Sequence, residues 1–320
     1  MSRIDVHQHF WPEPFVEGLA RRSRPPFVRR DGEGWCVRLN GEPDAPIAPS
    51  AHHPVLRAEA LAHDRVDVAL LCMSSPLGVE ALPAEEARPL LDAWHDGVRE
   101  LDARFGVWRA IALDGAGPAD VDAVLDRGGV GLSLPAGALR TPERLERAGP
   151  LLEALERRDA PLLVHPGPGL EDRLGGSAPA PGTAPWWPAL ASYPAQLQAA
   201  WLAFAAAGRH AHPRLRVVFA ALAGGAPLHA ERIAARGGPA HAVADPLTFY
   251  DTSSYGPRAV DATVRVTGVD VLVHGSDRPV VDGPADHRLG RAANAALRRA
   301  NPARLLGPAR TALRPALEAA

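Results

Sequence analysis

The amino-acid sequence predicts an α/β protein built as a TIM (β/α)8 barrel, and three observations carry this prediction. Short apolar segments alternate with longer amphipathic ones along most of the chain, which is typical of strands and helices in a parallel sheet. Eight such apolar segments occur, and eight strand–helix repeats close into a barrel. The 320 residues suffice for one large barrel, and no linker or composition shift divides them, so we expect one domain over residues 1–320.

Most of the predicted strands are short runs rich in Val, Ile and Leu, and the seventh is Thr-Phe-Tyr-Asp-Thr. The eight strands cover residues 4–9, 66–73, 107–112, 130–134, 161–165, 215–220, 248–252 and 271–275. Apolar residues at helical spacing predict helices over 55–64, 84–104, 119–126, 142–158, 186–207, 228–236 and 257–266, with C-terminal helices from about residue 289.

One insertion interrupts this alternation after the first strand. A Pro-rich exit and an Arg-rich segment precede a predicted hairpin over residues 27–40, whose turn is the Asp-Gly-Glu-Gly at 31–34. Residues 43–54 are predicted to be loop. We expect this small hairpin to leave the barrel and to be able to reach its mouth.

Composition excludes several classes of function. A net charge of −2 with 46% hydrophobic residues is an ordinary soluble profile that gives no reason to expect nucleic-acid binding. Neither a secretory leader nor an apolar run of about 18 residues occurs, so neither secretion nor membrane insertion is expected. Two cysteines, Cys36 and Cys72, are too few for a disulfide scaffold and fit a reducing cytoplasm. We expect a cytoplasmic protein with a small-molecule or peptide substrate; its oligomeric state, a homo-oligomer included, stays open.

The absence of lysine excludes further chemistry, since all 35 basic residues are arginine. Schiff-base catalysis, a phosphate-loop lysine and a carboxylated lysine bridging two metals are therefore ruled out.

Two histidines end the first predicted strand. His7 and His9 are two residues apart, so their side chains point to the same face of a strand and can bind one metal ion. A lone H-x-H pair is as often two unrelated histidines as a metal-binding pair. A metal site therefore needs further ligands from elsewhere in the chain.

Those ligands follow other predicted strands. His165 ends the fifth strand and Asp277 follows the eighth. Because the carboxyl ends of barrel strands meet at one rim, three imidazoles and one carboxylate are expected to converge there. This set suits one divalent metal, zinc above others, with a position left for water whose pKa the metal lowers toward ~7. Asp277 is expected to be the catalytic group that takes the water's proton.

These motifs resemble the amidohydrolase superfamily, and more narrowly its branch of aminocarboxymuconate-semialdehyde decarboxylase and related aromatic-acid decarboxylases. The matching elements are H-x-H on strand one, His-Pro on strand five, and Gly-Ser-Asp-x-Pro on strand eight, the most specific of the three. The segments 56–73 and 217–232 match as well, so that the resemblance extends over nearly the whole chain. It implies a barrel in which His7, His9, His165 and Asp277 bind one zinc.

The sequence departs from that branch at strand six, which usually ends in a histidine. Counting back from Pro227 places Ala221 at this position. Its loss weakens the decarboxylase interpretation and leaves Asp277 as the proton shuttle. Strand four lacks a lysine or glutamate that could bridge two metals, so one metal is favoured over two.

Four residues are candidates for substrate binding. Trp186 and Trp187 follow a long Gly- and Pro-rich loop after His165, where paired indoles could stack on a planar substrate or simply anchor the following helix. Tyr255 and Arg278, after strands seven and eight, could bind a carboxylate or carbonyl oxygen. Ion pairing at the surface is the alternative for Arg278.

The leading hypothesis is a mononuclear metal-dependent hydrolase. Zinc-bound water would cleave an amide, amidine, lactam or lactone, including in the tailoring of natural products or peptides. The alternative is a non-oxidative decarboxylase of a small aromatic or unsaturated acid. A third hypothesis, a barrel that binds a ligand without turnover, conflicts with four retained metal ligands.

Overall fold

A computed structural model describes residues 2–32, 34–172, 182–282 and 287–313. Its strands are β1 Ile4–His9, β2 Phe27–Asp31, β3 Gly34–Arg38, β4 Ala45–Ile47, β5 Val68–Cys72, β6 Phe105–Arg109, β7 Gly131–Pro135, β8 Leu162–His165, β9 Val217–Phe219, β10 Thr248–Asp251 and β11 Leu272–Val273.

Eight of these strands form one parallel sheet that closes into a barrel. Its order is β1-β5-β6-β7-β8-β9-β10-β11. The last strand returns to the first, because Val6 N–H donates to the His274 carbonyl over 2.8 Å and Asp277 N–H to the His7 carbonyl over 2.9 Å. The predicted TIM barrel is confirmed.

Helices lie between the strands and after the last one. They are α1 Glu13–Ala20, α2 Pro54–His63, α3 Ala84–Arg99, α4 Pro118–Asp126, α5 Pro142–Arg157, α6 Tyr193–Ala203, α7 Arg209–Ala211, α8 Ala230–Ala234, α9 Pro257–Thr267, α10 Arg291–Ala295 and α11 Asn301–Leu306. No helix in the described part of the chain is long and apolar enough to cross a membrane.

Helix α5 shows how the sequence specifies these elements. Thr141 caps its first turn by accepting a hydrogen bond from Arg144 N–H over 3.2 Å, and Pro142 occupies the first turn, where no N–H partner is needed. Leu145, Leu152 and Leu155 form its buried face. Each such leucine contributes about 1.5–3 kcal/mol of burial free energy.

The core has two layers because barrel strands are covered on both faces. An inner cluster fills the barrel and includes Val6, Trp108, Leu163 and Phe249. Within it, Trp108 donates its indole N–H to the Val6 carbonyl over 2.9 Å, so its polar atom is satisfied. Two outer clusters lie between strands and helices. This packing explains why the strands are nearly continuous apolar runs.

The insertion after β1 is larger than the sequence predicts. Strands β2 and β3 form the expected antiparallel hairpin, and β4 adds a third strand from the predicted 43–54 loop. Helix α1 occupies the segment expected to be a Pro-rich exit, because the prolines at 12 and 14 stand at its start, where proline is tolerated.

Two predicted elements are displaced. Strand β6 ends at Arg109 rather than at residue 112, because Ala110 N–H donates to His95 Nε2 of α3 over 3.3 Å and so leaves the ladder. The predicted helix 228–236 is shortened to α8. A turn over Ala221–His229 precedes this helix.

Candidate metal centre

A bulge in β1 turns the two histidines into the barrel. Between Asp5 and Gln8, β1 advances three residues while β5 advances two, from Ala69 to Leu71. Val6 already lies in the inner cluster, so strict alternation would turn His7 outward. The extra residue resets the alternation, and both His7 and His9 meet His165 inside the barrel.

All three imidazoles are held by hydrogen bonds at Nδ1. His7 Nδ1 lies 2.7 Å from Asp251 Oδ2, His9 Nδ1 lies 3.1 Å from the Cys72 carbonyl, and His165 Nδ1 lies 2.9 Å from the Pro166 carbonyl. Since those oxygens only accept, each Nδ1 carries a proton, and Nε2 is the atom that offers a lone pair to a metal when the ring is neutral. The ring centroids are 4.9–5.0 Å apart in near-perpendicular pairs. Three lone pairs are thus available in one buried space.

The Nε2 atoms of His7 and His9 lie only 3.2 Å apart. Two unprotonated nitrogens repel at this distance unless a proton or a cation lies between them. Two imidazole nitrogens bound to one zinc at about 2.0–2.1 Å with near-tetrahedral angles are roughly 3.3 Å apart. The residues present therefore fit a divalent metal.

Asp277 completes the set. Its Oδ1 lies 3.2 Å from His9 Nε2 and 3.8 Å from His7 Nε2, and its Oδ2 accepts a hydrogen bond from Ser254 Oγ over 2.6 Å. Its backbone is left-handed, with φ of 63°, which directs the carboxylate back toward the histidines. Burial raises the pKa of Asp277, but the hydrogen bond with His9 and the charges of His7 and His9 outweigh it and hold that pKa well below its ordinary value. The group is a carboxylate.

The histidines respond to the same surroundings in opposite ways. Burial lowers the pKa of His9, but Cys72 and Asp277 outweigh it and raise that pKa to about 9. In His7, burial is likewise outweighed, by Cys72 and Asp251, and the pKa is raised well above its ordinary value. Burial and the charges of His7 and His9 hold the pKa of His165 well below its ordinary value. The cluster therefore attracts positive charge between His7 and His9.

Asp251 positions His7 and was missed by the sequence analysis. It is fully buried at the end of β10, and its Oδ1 accepts hydrogen bonds from the N–H groups of Ala221 and Ser253, both over 2.9 Å, and from Ser253 Oγ. Opposite it, a Cβ at Gly275 would lie 2.9 Å from His7 Cβ and 3.0 Å from Asp251 Cγ, so only glycine fits. His165 was predicted because functional side chains of a barrel lie at the carboxyl ends of its strands. The same rule applies to Asp251, which ends β10.

Cys72 was also missed as a candidate ligand. It ends β5, is fully buried, and brings its Sγ to 3.6 Å from His9 Nδ1. Burial raises the pKa of this thiol, but His9 and His7 outweigh it and lower that pKa to about 7. Its Sγ and one ring nitrogen from each of His7, His9 and His165 lie within 4.8 Å of one another.

Comparison with known proteins supports the fold. No family model matches the chain, and no curated protein sequence matches it. Among solved structures, IDCase of Metarhizium anisopliae is 18% identical with a TM-score of 0.76, and the match covers 95% of this chain and 97% of that one. A protein described as amidohydrolase II is 21% identical with a TM-score of 0.71, covering 95% and 99%. The chain therefore shares the barrel fold of these structures.

A third structure with this fold contains a metal. A dihydroxybenzoic acid decarboxylase of Polaromonas with bound manganese is 16% identical with a TM-score of 0.63, covering 95% of this chain and 96% of that one.

In this barrel, Ala221 contributes its backbone to the candidate site. Its N–H donates to Asp251 Oδ1 and, over 3.0 Å, to Ser253 Oγ. Ala221, Leu222 and Ala223 are all left-handed, with φ of 47°, 51° and 54°, a costly run for residues other than glycine. This strained turn fixes Asp251 and, through it, His7.

The insertion reaches the barrel mouth. Glu42, between β3 and β4, accepts a hydrogen bond from the Tyr193 hydroxyl over 2.7 Å. Burial, Glu42 and the charge of Asp277 together raise the pKa of Tyr193 well above its ordinary value, which places this phenol within electrostatic reach of the metal centre. On the other side, Trp11 stacks on His52 with ring centroids 5.5 Å apart. No pattern in the sequence pointed to a role for Glu42, Tyr193 or His52.

The predicted substrate-binding residues are less closely connected to this centre. Trp186 and Trp187 are 57% and 52% exposed with ring centroids 5.8 Å apart, and residues 173–181 of the preceding loop lie outside the described residues. Tyr255 packs against an outer cluster. The Arg278 guanidinium is held by Asp64 and Asp282, each over 2.6 Å, which is the ion-pair alternative. Substrate binding by these four residues stays a prediction.

Proposed function

We propose that the chain is a mononuclear metal-dependent decarboxylase of small aromatic or unsaturated carboxylic acids. The observation that carries the proposal is the convergence of three Nε2 lone pairs and the Asp277 carboxylate in one buried space. The similar structures add support, since they include a decarboxylase that contains manganese. This reverses the order of the two hypotheses from the sequence, in which hydrolysis came first.

His7, His9, His165 and Asp277 would hold the metal, and Asp251 keeps His7 in the tautomer that binds it. A divalent cation there supplies charge that draws electrons from the carboxylate-bearing substrate. Zinc and manganese both accept imidazole and carboxylate ligands.

Decarboxylation needs one proton for the carbon that loses carbon dioxide. The C–C bond breaks, its electron pair stays on the ring or alkene carbon, and that carbon takes up the proton. Asp277 reaches the histidine cluster with its Oδ1 and is ionised, so it can accept a proton from a substrate hydroxyl or from water and pass it to that carbon. Ser254 holds this carboxylate in place.

Hydrolysis of an amide, amidine, lactam or lactone is the second candidate. It is favoured by the side chain at position 221, where alanine replaces the histidine of the resembled decarboxylases. A hydrolase needs only the metal centre and one proton shuttle, and Asp277 suffices for that role.

The decisive experiment incubates metal-loaded protein with a panel of hydroxylated benzoic acids and unsaturated acids. We expect the wild type to release carbon dioxide. We expect Asp277→Asn to release none although it retains its metal. Cleavage of lactones or cyclic amides without any carbon dioxide release would replace decarboxylation by hydrolysis. Purified protein that takes up no divalent metal would reject both.

A further inference from the structure

Cys72 lies beside the imidazoles inside the barrel. In the ladder between β1 and β5 it stands opposite His9, and its side chain belongs to the inner cluster with Leu70 and Val218. Its Sγ and one ring nitrogen from each of the three histidines fall within 4.8 Å of one another.

The sulfur has weak alternatives to a metal. Its polar contacts include a 3.6 Å contact with the Gln8 carbonyl, an interaction with the His7 imidazole, and the 3.6 Å contact with His9 Nδ1, which already faces the Cys72 carbonyl at 3.1 Å. A thiol is a poor hydrogen-bond donor, so these contacts hold it weakly and leave the sulfur able to bind a metal.

We propose that Cys72 supplies a thiolate ligand to the metal centre, so that this chain prefers zinc to manganese. The proposal rests on the proposed metal centre but not on the reaction. On binding, the S–H bond breaks, the proton leaves to solvent, and a metal–sulfur bond forms. Thiolate is a soft ligand that suits zinc, whereas manganese favours oxygen ligands.

The distances permit this bond. Zinc binds sulfur at about 2.3 Å and imidazole nitrogen at about 2.0–2.1 Å, so sulfur and nitrogen ligands of one zinc are roughly 3.5 Å apart. From the 4.8 Å limit, Sγ has to approach one ring nitrogen of each histidine by no more than about 1.3 Å, which corresponds to a rotation of roughly 45° about the Cα–Cβ bond of Cys72.

Cobalt(II) tests the proposal spectroscopically, because a thiolate ligand gives a near-ultraviolet sulfur-to-cobalt charge-transfer band. The full chain is stripped with chelator and reloaded with cobalt. We expect the band in the wild type and in Cys36→Ser, a matched control in β3 of the insertion, and its loss in Cys72→Ser. Chelator competition should show zinc affinity falling by about tenfold or more in Cys72→Ser, with manganese affinity changed less than about threefold.

Cobalt that binds with visible bands but without the charge-transfer band in the wild type would overturn the thiolate and leave the metal centre standing. Failure of the wild type to bind cobalt, zinc or manganese would reject the metal centre itself. X-ray absorption of the zinc-loaded wild type needs no variant: we expect a sulfur shell near 2.3 Å, and only nitrogen and oxygen near 2.0–2.1 Å would refute the proposal.

Discussion

Replacing Asp251 with asparagine should weaken metal binding although Asp251 is not itself a proposed ligand. The carboxylate accepts four hydrogen bonds, from His7 Nδ1, from the N–H groups of Ala221 and Ser253, and from Ser253 Oγ. The asparagine NH2 group cannot accept. Its oxygen would keep the three donors at Oδ1, so its NH2 would face His7 Nδ1.

The consequence is a change of tautomer. His7 would have to accept at Nδ1, and its proton would move to Nε2, the atom that the proposed metal needs. Loss of such a positioning carboxylate typically costs about 10–100-fold in metal affinity. This equals about 1.4–2.8 kcal/mol.

Zinc affinity measured by chelator competition at pH 7 tests this reasoning. Asp245→Asn is the matched control, since Asp245 precedes the same strand at its other end and pairs with Arg209 over 2.7 Å. We expect Asp245→Asn to unfold at lower urea concentration with unchanged zinc affinity. An Asp251→Asn variant that binds zinc within threefold of the wild type would refute the assigned tautomer.

Three further predictions follow from the geometry. Gly275→Ala should destabilise the chain by about 1–3 kcal/mol in urea unfolding, because the added methyl meets His7 and Asp251, whereas Gly256→Ala, with nothing within 4 Å, should change little. The pKa of His9 is about 9 in the folded protein and about 6.5 in the unfolded chain. Protonation of His9 therefore stabilises the metal-free protein fully below pH ~6.5, and this stabilisation is lost as the pH rises through ~9. The melting temperature of the metal-free protein should therefore fall over that pH range. With zinc bound it should not fall, because zinc affinity rises as the ligands lose their protons. A metal-free protein whose melting temperature stays constant would contradict this prediction. Ala221→His, at a left-handed position that histidine tolerates better than most residues, should raise carbon dioxide release or abolish native turnover, and unchanged kinetics would show that this side chain does not matter to the reaction.

The insertion shows the limit of local patterns. Its β2–β3 hairpin was predicted because turn residues separate two strand-forming segments of the chain. Strand β4 is three residues long and exists because β3 offers it an open edge. Helix α1 was missed because two prolines, at 12 and 14, stand at its start, although helices accept proline in their first turn.

What the sequence by itself determined is the barrel and the meeting of His7, His9, His165 and Asp277. Strand and helix periodicities are local, and closing eight parallel strands brings their carboxyl ends to one rim whatever the loops do. Only the tertiary structure decided how those groups are aimed and held: the bulge in β1, the hydrogen bonds that Asp251 accepts, and the approach of Cys72. These depend on register between strands far apart in the chain, and a shift of one residue turns a side chain to the opposite face.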